Sequence, residues 1–168
     1  LETMIMNSIQ ITFTSLLVLL FQFLFVDFLS LNLIRPDFLV IYILYISLSN
    51  GKFVGTITGF CLGLLSNFFG VGSLFGLEPL SLSVVGYLAG YLINSYEKLL
   101  PYIFHSIWLA IIFLHFFIIC YFRFQNIYLL DISDFLFYWL ASSSYTLLFI
   151  IAFQFIYPLK DVSHAEVS

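Results

Sequence analysis

Four glycines recur at every fourth position, Gly51, Gly55, Gly59 and Gly63, in the run GKFVGTITGFCLG. On an α-helix that spacing puts them on one slowly turning ridge, where missing side chains let a second backbone come close. Glycine costs about 1 kcal/mol relative to alanine in a water-exposed helix interior, so four in register are hard to place in a soluble helix. In lipid the same ridge is a packing groove, filled by another helix of the chain or by a partner chain. All nine glycines lie between Gly51 and Gly90, and Gly86, Ala89 and Gly90 form a second small-residue stripe suited to the same use.

Composition points to the same solvent. The 168 residues are 62% hydrophobic, 21% aromatic and 8% charged, whereas an ordinary soluble domain carries about 25% charged residues. An all-α integral membrane protein is expected, in one membrane domain. At about 20 apolar residues per crossing, the length admits at most about six or seven helices with short connections. A net charge of −4 leaves no basic surface for nucleic acid. Cys61 and Cys120 sit in apolar runs as small hydrophobes, without redox or metal spacing. Residues 1–3 precede Met4 and are read as a remnant ahead of a natural start at Met4 or Met6. No cleaved leader is expected, because the apolar stretch from Ile5 to Val26 is too long for a signal core and lacks a basic flank.

Breaks in hydropathy place six spans, at approximately 8–26, 36–50, 51–69, 78–95, 101–122 and 135–157. Asp27 ends the first, and Pro36, within Arg35-Pro36-Asp37, suits the first turn of the second. That second span is short for a hydrocarbon core of about 30 Å. A tight turn at Asn50-Gly51 makes spans two and three antiparallel neighbours. The apolar loop 70–76 leads through Leu77-Glu78-Pro79 into span four, Pro101 opens span five, and Pro158 closes span six. An even count puts both termini on one side. Cytoplasmic termini place Lys52, Lys98 and Lys160 inside, with Arg35, Arg123 and the acids Asp27, Asp37, Glu78, Asp131 and Asp134 outside. Tyr96, Tyr102, Tyr128 and Tyr157 fit interfacial belts.

An enzyme needs a convergent nucleophile, acid/base pair or metal site. His105 and His115 lie on one span about 80° off a shared face, which argues against a joint metal site, so each is read as an interfacial or hydrogen-bonded histidine. No catalytic residue, metal or cofactor is expected. Asn67, beside Ser66 at the end of the ridge, reads as an interhelical hydrogen-bond clasp rather than a ligand contact. Arg35 and Asp37 form a local pair orienting span two, or meet an external partner, and Glu78 is a first-turn acid favoured by the helix dipole. A transport subunit would instead need buried polar groups converging in the bundle, and the spans offer few: Thr56, Thr58, Asn67, His115, Ser142 to Ser144 and Gln154.

Residues 35 to 95 resemble a known family. Arg35-Pro36-Asp37-Phe38-Leu39-Val40, the glycine run leading to Asn67, Gly76-Leu77 and Val85-Gly86-Tyr87-Leu88-Ala89-Gly90 resemble the MreD family, rod shape-determining membrane proteins of bacteria. Asn67 departs from the pattern, standing where the family usually carries Asp. The resemblance implies a six-helix bundle similar to the substrate-binding subunits of energy-coupling-factor transporters. It also implies a non-enzymatic inner-membrane scaffold of the cell-elongation complex, in contact with MreC, with RodA, a class B penicillin-binding protein and MreB as complex members. Gly51, Gly55, Gly59, Gly63, Asn67, Gly86 and Gly90 are then the packing or partner interface, and Arg35, Pro36, Asp37 and Glu78 structural or partner contacts. Membrane lipid is a further partner, a homodimer is open, and a small-molecule-binding transporter subunit is the alternative function.

Overall fold

The computed structural model describes residues 2–69, 74–96 and 98–159, with side chains from residue 8 onward. Expectations attached to Leu1, residues 70–73, Glu97 and the tail from Lys160 lie outside the described residues.

In hydrocarbon every backbone N–H and C=O must be satisfied within the protein, so long apolar runs become helices. Their order is α1 (Glu2–Leu29), α2 (Phe38–Phe68), α3 (Leu77–Ala89) continued by the 3-10 turn Gly90–Leu92, α4 (Pro101–Arg123), a short α5 (Gln125–Leu130) and α6 (Ile132–Ile156). Four of them, α1 from Ser8 onward, α2, α4 and α6, are long and apolar enough to cross a membrane. The connection between the expected spans 101–122 and 135–157 contains α5. Helix α6 starts early because the Asp131 side chain accepts from Ser133 N and caps it.

Helix α2 is bent back on itself. Gly51 adopts φ +83°, ψ 177°, a conformation that side chains oppose, and divides the helix into arms 38–50 and 52–68. A Cβ on Gly55 would collide with the Ser47 side chain, and Asp37 and Ser66 line one cavity. On a straight helix Asp37 and Ser66 would be about 43 Å apart, so the arms are antiparallel. At Gly51 itself a Cβ would meet only Ile93, at 3.8 Å. This corrects its place on the ridge: glycine is needed there for the turn, not for close approach. Pro36 likewise precedes the helix rather than opening it, because Asp37 is the N-cap.

The remaining ridge glycines face α3. Gly55 lies against Gly86, Gly59 against Leu82 and Gly63 against Pro79, while Gly90 meets Lys52. The pairing runs in opposite directions along the two elements, so they are antiparallel. A Cβ at any of these glycines would come within 3.0 Å of the neighbouring backbone.

Other contacts fix the remaining directions. Tyr42 Oη donates to the Ile11 carbonyl (3.1 Å) and Phe38 N to Gln22 Oε1 (2.8 Å), setting α1 antiparallel to the first arm of α2. Ser81 bonds His115 between α3 and α4, and Trp139 Nε1 donates to the Phe113 carbonyl (3.0 Å) between α6 and α4. The first arm of α2 runs parallel to α6, through the Phe38–Phe149 ring contact and the Tyr45 hydroxyl on the Tyr157 carbonyl. One end of the molecule thus gathers the Gly51 turn, the start of α4 and the end of α6. The opposite end gathers Asp37, the end of α2, the start of α3 and the end of α4. Large apolar side chains such as Phe13, Leu24, Phe28, Phe137, Leu148 and Phe155 face outward from α1 and α6, as a surface solvated by lipid requires.

Gly59→Ala is expected to lower stability by about 1–3 kcal/mol, since the added methyl meets the Leu82 backbone rather than a side chain that can move. Reversible unfolding of the purified protein in detergent measures it, with the exposed Ile57→Ala as reference. Equal midpoints for the two variants would contradict the close seam between α2 and α3.

Candidate functional site

At the second end, side chains from four helices meet around the start of α2. A helix start leaves its first N–H groups without partners, which in an apolar setting is costly. Here each is satisfied. The Asp37 carboxylate accepts from Leu39 N (2.9 Å) and Val40 N (3.1 Å) through Oδ1. Gln22 of α1, itself buried, accepts from Phe38 N. Asp37 N donates to Thr146 Oγ1 of α6 at 3.2 Å.

The second carboxylate oxygen, Oδ2, lies 3.0 Å from His115 Nε2 of α4, and His115 Nδ1 lies 2.8 Å from Ser81 Oγ of α3. In the tautomer whose Nε2–H donates to the carboxylate, Nδ1 accepts from the Ser81 hydroxyl. Asp37 therefore ties α2 to α6 through Thr146, to α4 through His115 and, beyond His115, to α3 through Ser81, while the neighbouring Phe38 N ties it to α1 through Gln22. The composition of this chain, Ser81–His115–Asp37, is that of a hydrolase triad. Its placement differs from that of an open active site: Ser81 is fully buried and is not among the residues lining the adjoining cavity.

That cavity, about 50 Å³, is bounded by Gln22, Arg35, Asp37, Ser66, Glu78, His115 and Arg123. Two acidic and two arginine residues line it. Arg35 reaches Asp27 at 3.7 Å (Nη1 to Oδ1), an exposed and weak pair. This replaces the expected Arg35–Asp37 pair, because Asp37 is drawn inward by His115. Glu78 stands in the first turn of α3, as its position beside Pro79 indicated. Asn67 shows no clasp: neither amide atom has a hydrogen-bond partner although both are shielded from solvent. His105 is separate from the cluster and accepts from Trp108 Nε1 (2.9 Å).

Sequence reasoning singled out Arg35, Pro36, Asp37 and Glu78 but missed Gln22, Ser66, Ser81, Arg123 and Thr146 as their companions. Gln22 and His115, isolated polar residues in apolar runs, carried the available signal. Each needed a partner from another helix. No group of three or more His, Cys, Asp or Glu side chains able to hold a metal occurs among the described residues.

These features define a helical membrane protein whose polar residues converge on one internal joint. The match to known families is specific: the family model for rod shape-determining protein MreD covers residues 3–159, and the chain belongs to that family. No curated protein and no solved structure matches it. Family membership indicates a role in determining rod shape.

Removing His115 leaves the Asp37 carboxylate short of a partner in a buried setting, so His115→Leu is expected to cost about 1–3 kcal/mol. In a double-mutant cycle, Asp37→Ala and His115→Ala should couple by about 0.5–3 kcal/mol. Unfolding measurements that find additive effects would show the two groups to be independent.

Proposed function

We propose that the chain is a non-enzymatic scaffold of the bacterial cell-elongation complex. It crosses the inner membrane six times with both termini cytoplasmic, and supports lateral wall synthesis through contact with MreC. RodA, a class B penicillin-binding protein and MreB are the further members of that complex. The observation that carries this reading is the family match over residues 3–159. The joint supports it, because the cavity enclosed by its converging polar residues is about 50 Å³, far smaller than a vitamin or sugar.

Six crossings are supported by the fold-back of α2 at Gly51, which makes two antiparallel arms of one helix. The orientation follows the sequence count of three basic residues, Lys52, Lys98 and Lys160, against two, Arg35 and Arg123, of which Lys160 lies outside the described residues. Capture of a small molecule is the second reading. Its support is an apolar cavity of about 340 Å³ between α1, α2 and α6, lined by Phe21, Phe38, Tyr42 and Phe153 among others.

Two measurements test the proposal. With Cys61 and Cys120 replaced, a cysteine at Leu74 should react with an impermeant probe from outside and one at Lys98 only from inside. In a rod-shaped host depleted of its own family member, the chain should restore rod shape and retain MreC on purification. Labelling of Leu74 from the cytoplasm, or restored shape without MreC retention, would overturn the respective part.

A further inference from the structure

We propose that the chamber beside Asp37 is a built water site, holding about one to three internal water molecules as part of the fold. Ser66 is 1% exposed and its Oγ lacks a hydrogen-bond partner, and the Arg35 Nε is equally shielded and equally without one. Both residues line the same chamber, which is about 50 Å³. A buried water needs roughly 10–15 Å³ of accessible volume and two to four polar neighbours.

The donor and acceptor pattern selects water over other occupants. Arg35 Nε can only donate, the carboxylates of Asp37 and Glu78 only accept when ionised, and Ser66 Oγ does either. A single species that accepts from the guanidinium and donates to a carboxylate satisfies them together. A bare cation cannot accept from Arg35, and two arginines, Arg35 and Arg123, line the same space and oppose it. An anion would meet the Asp37 and Glu78 carboxylates. Substrates of drug-like size are excluded by volume. The water would bridge the end of the second arm of α2, through Ser66, to the segment before the first arm, through Arg35.

The test uses the full chain in lipid nanodiscs. Ser66→Ala removes one water partner, so its unfolding midpoint should fall relative to Ser144→Ala, an exposed position on α6 that reports the serine-to-alanine change in helix propensity alone. A dry chamber predicts the reverse, because deleting an unpartnered buried hydroxyl stabilises. A rise, or a change equal to that of Ser144→Ala, therefore overturns the proposal. Should Ser66→Ala not fold, density maps of the unsubstituted chain that resolve ordered solvent decide it. Density within hydrogen-bond reach of both Ser66 Oγ and Arg35 Nε supports the site, and an empty chamber refutes it. A midpoint that depends on whether the salt is sodium or potassium, at fixed ionic strength, would identify an ion instead and also refute it.

Discussion

A carboxylate surrounded by apolar helices is tolerable only when nearly every lone pair is engaged, and Asp37 is the group on which this arrangement depends. One oxygen holds two N–H groups of α2, the other faces His115, and its backbone N–H is taken by Thr146. Each of these bonds is worth little net in water, but the penalty for leaving a buried partner unmade is large. The joint is therefore more a constraint on relative helix placement than a source of net stability. Any shift of α4 or α6 against α2 strands a buried polar group.

A different force operates along the glycine seam. Apolar helices gain nothing from leaving an equally apolar solvent, so their association rests on contact area and distance. Gly55, Gly59 and Gly63 on α2 and Gly86 on α3 reduce that distance until backbone meets backbone. Dispersion between two closely approaching backbones then accumulates over the whole seam. The seam sets how close α2 and α3 lie, and the joint at its end sets how far they can slide.

The parts of this structure legible in the sequence were those set by local spacing. The four-residue glycine period, the turn at Asn50-Gly51 and the Pro101 start of α4 all follow from neighbours in the chain. The joint was not legible, because its members are brought together only by the folded bundle. His115 and Asp37 are 78 positions apart, and Asp37 and Thr146 are 109 apart. Comparing His115 with His105 on its own helix searched the wrong direction, since a polar residue inside one helix finds its partner on another. Arg35 misled for a related reason. Proximity to Asp37 in sequence suggested a pair, but the capping geometry turned the carboxylate toward α4.

The single-residue turn at Gly51 also bears on a length mismatch with the bilayer. The arm 38–50 is about 20 Å long as a helix, shorter than the roughly 30 Å hydrocarbon core. One of its leading amides, Phe38 N, is moreover completed by Gln22 of α1. Such an arm has no independent residence in a bilayer. Its place therefore depends on the second arm, to which the turn joins it, and on α1 and α6, which complete its first amides. The glycine that permits this turn thus holds a segment too short to stand alone, and any side chain there would have to take a positive φ that L residues rarely adopt.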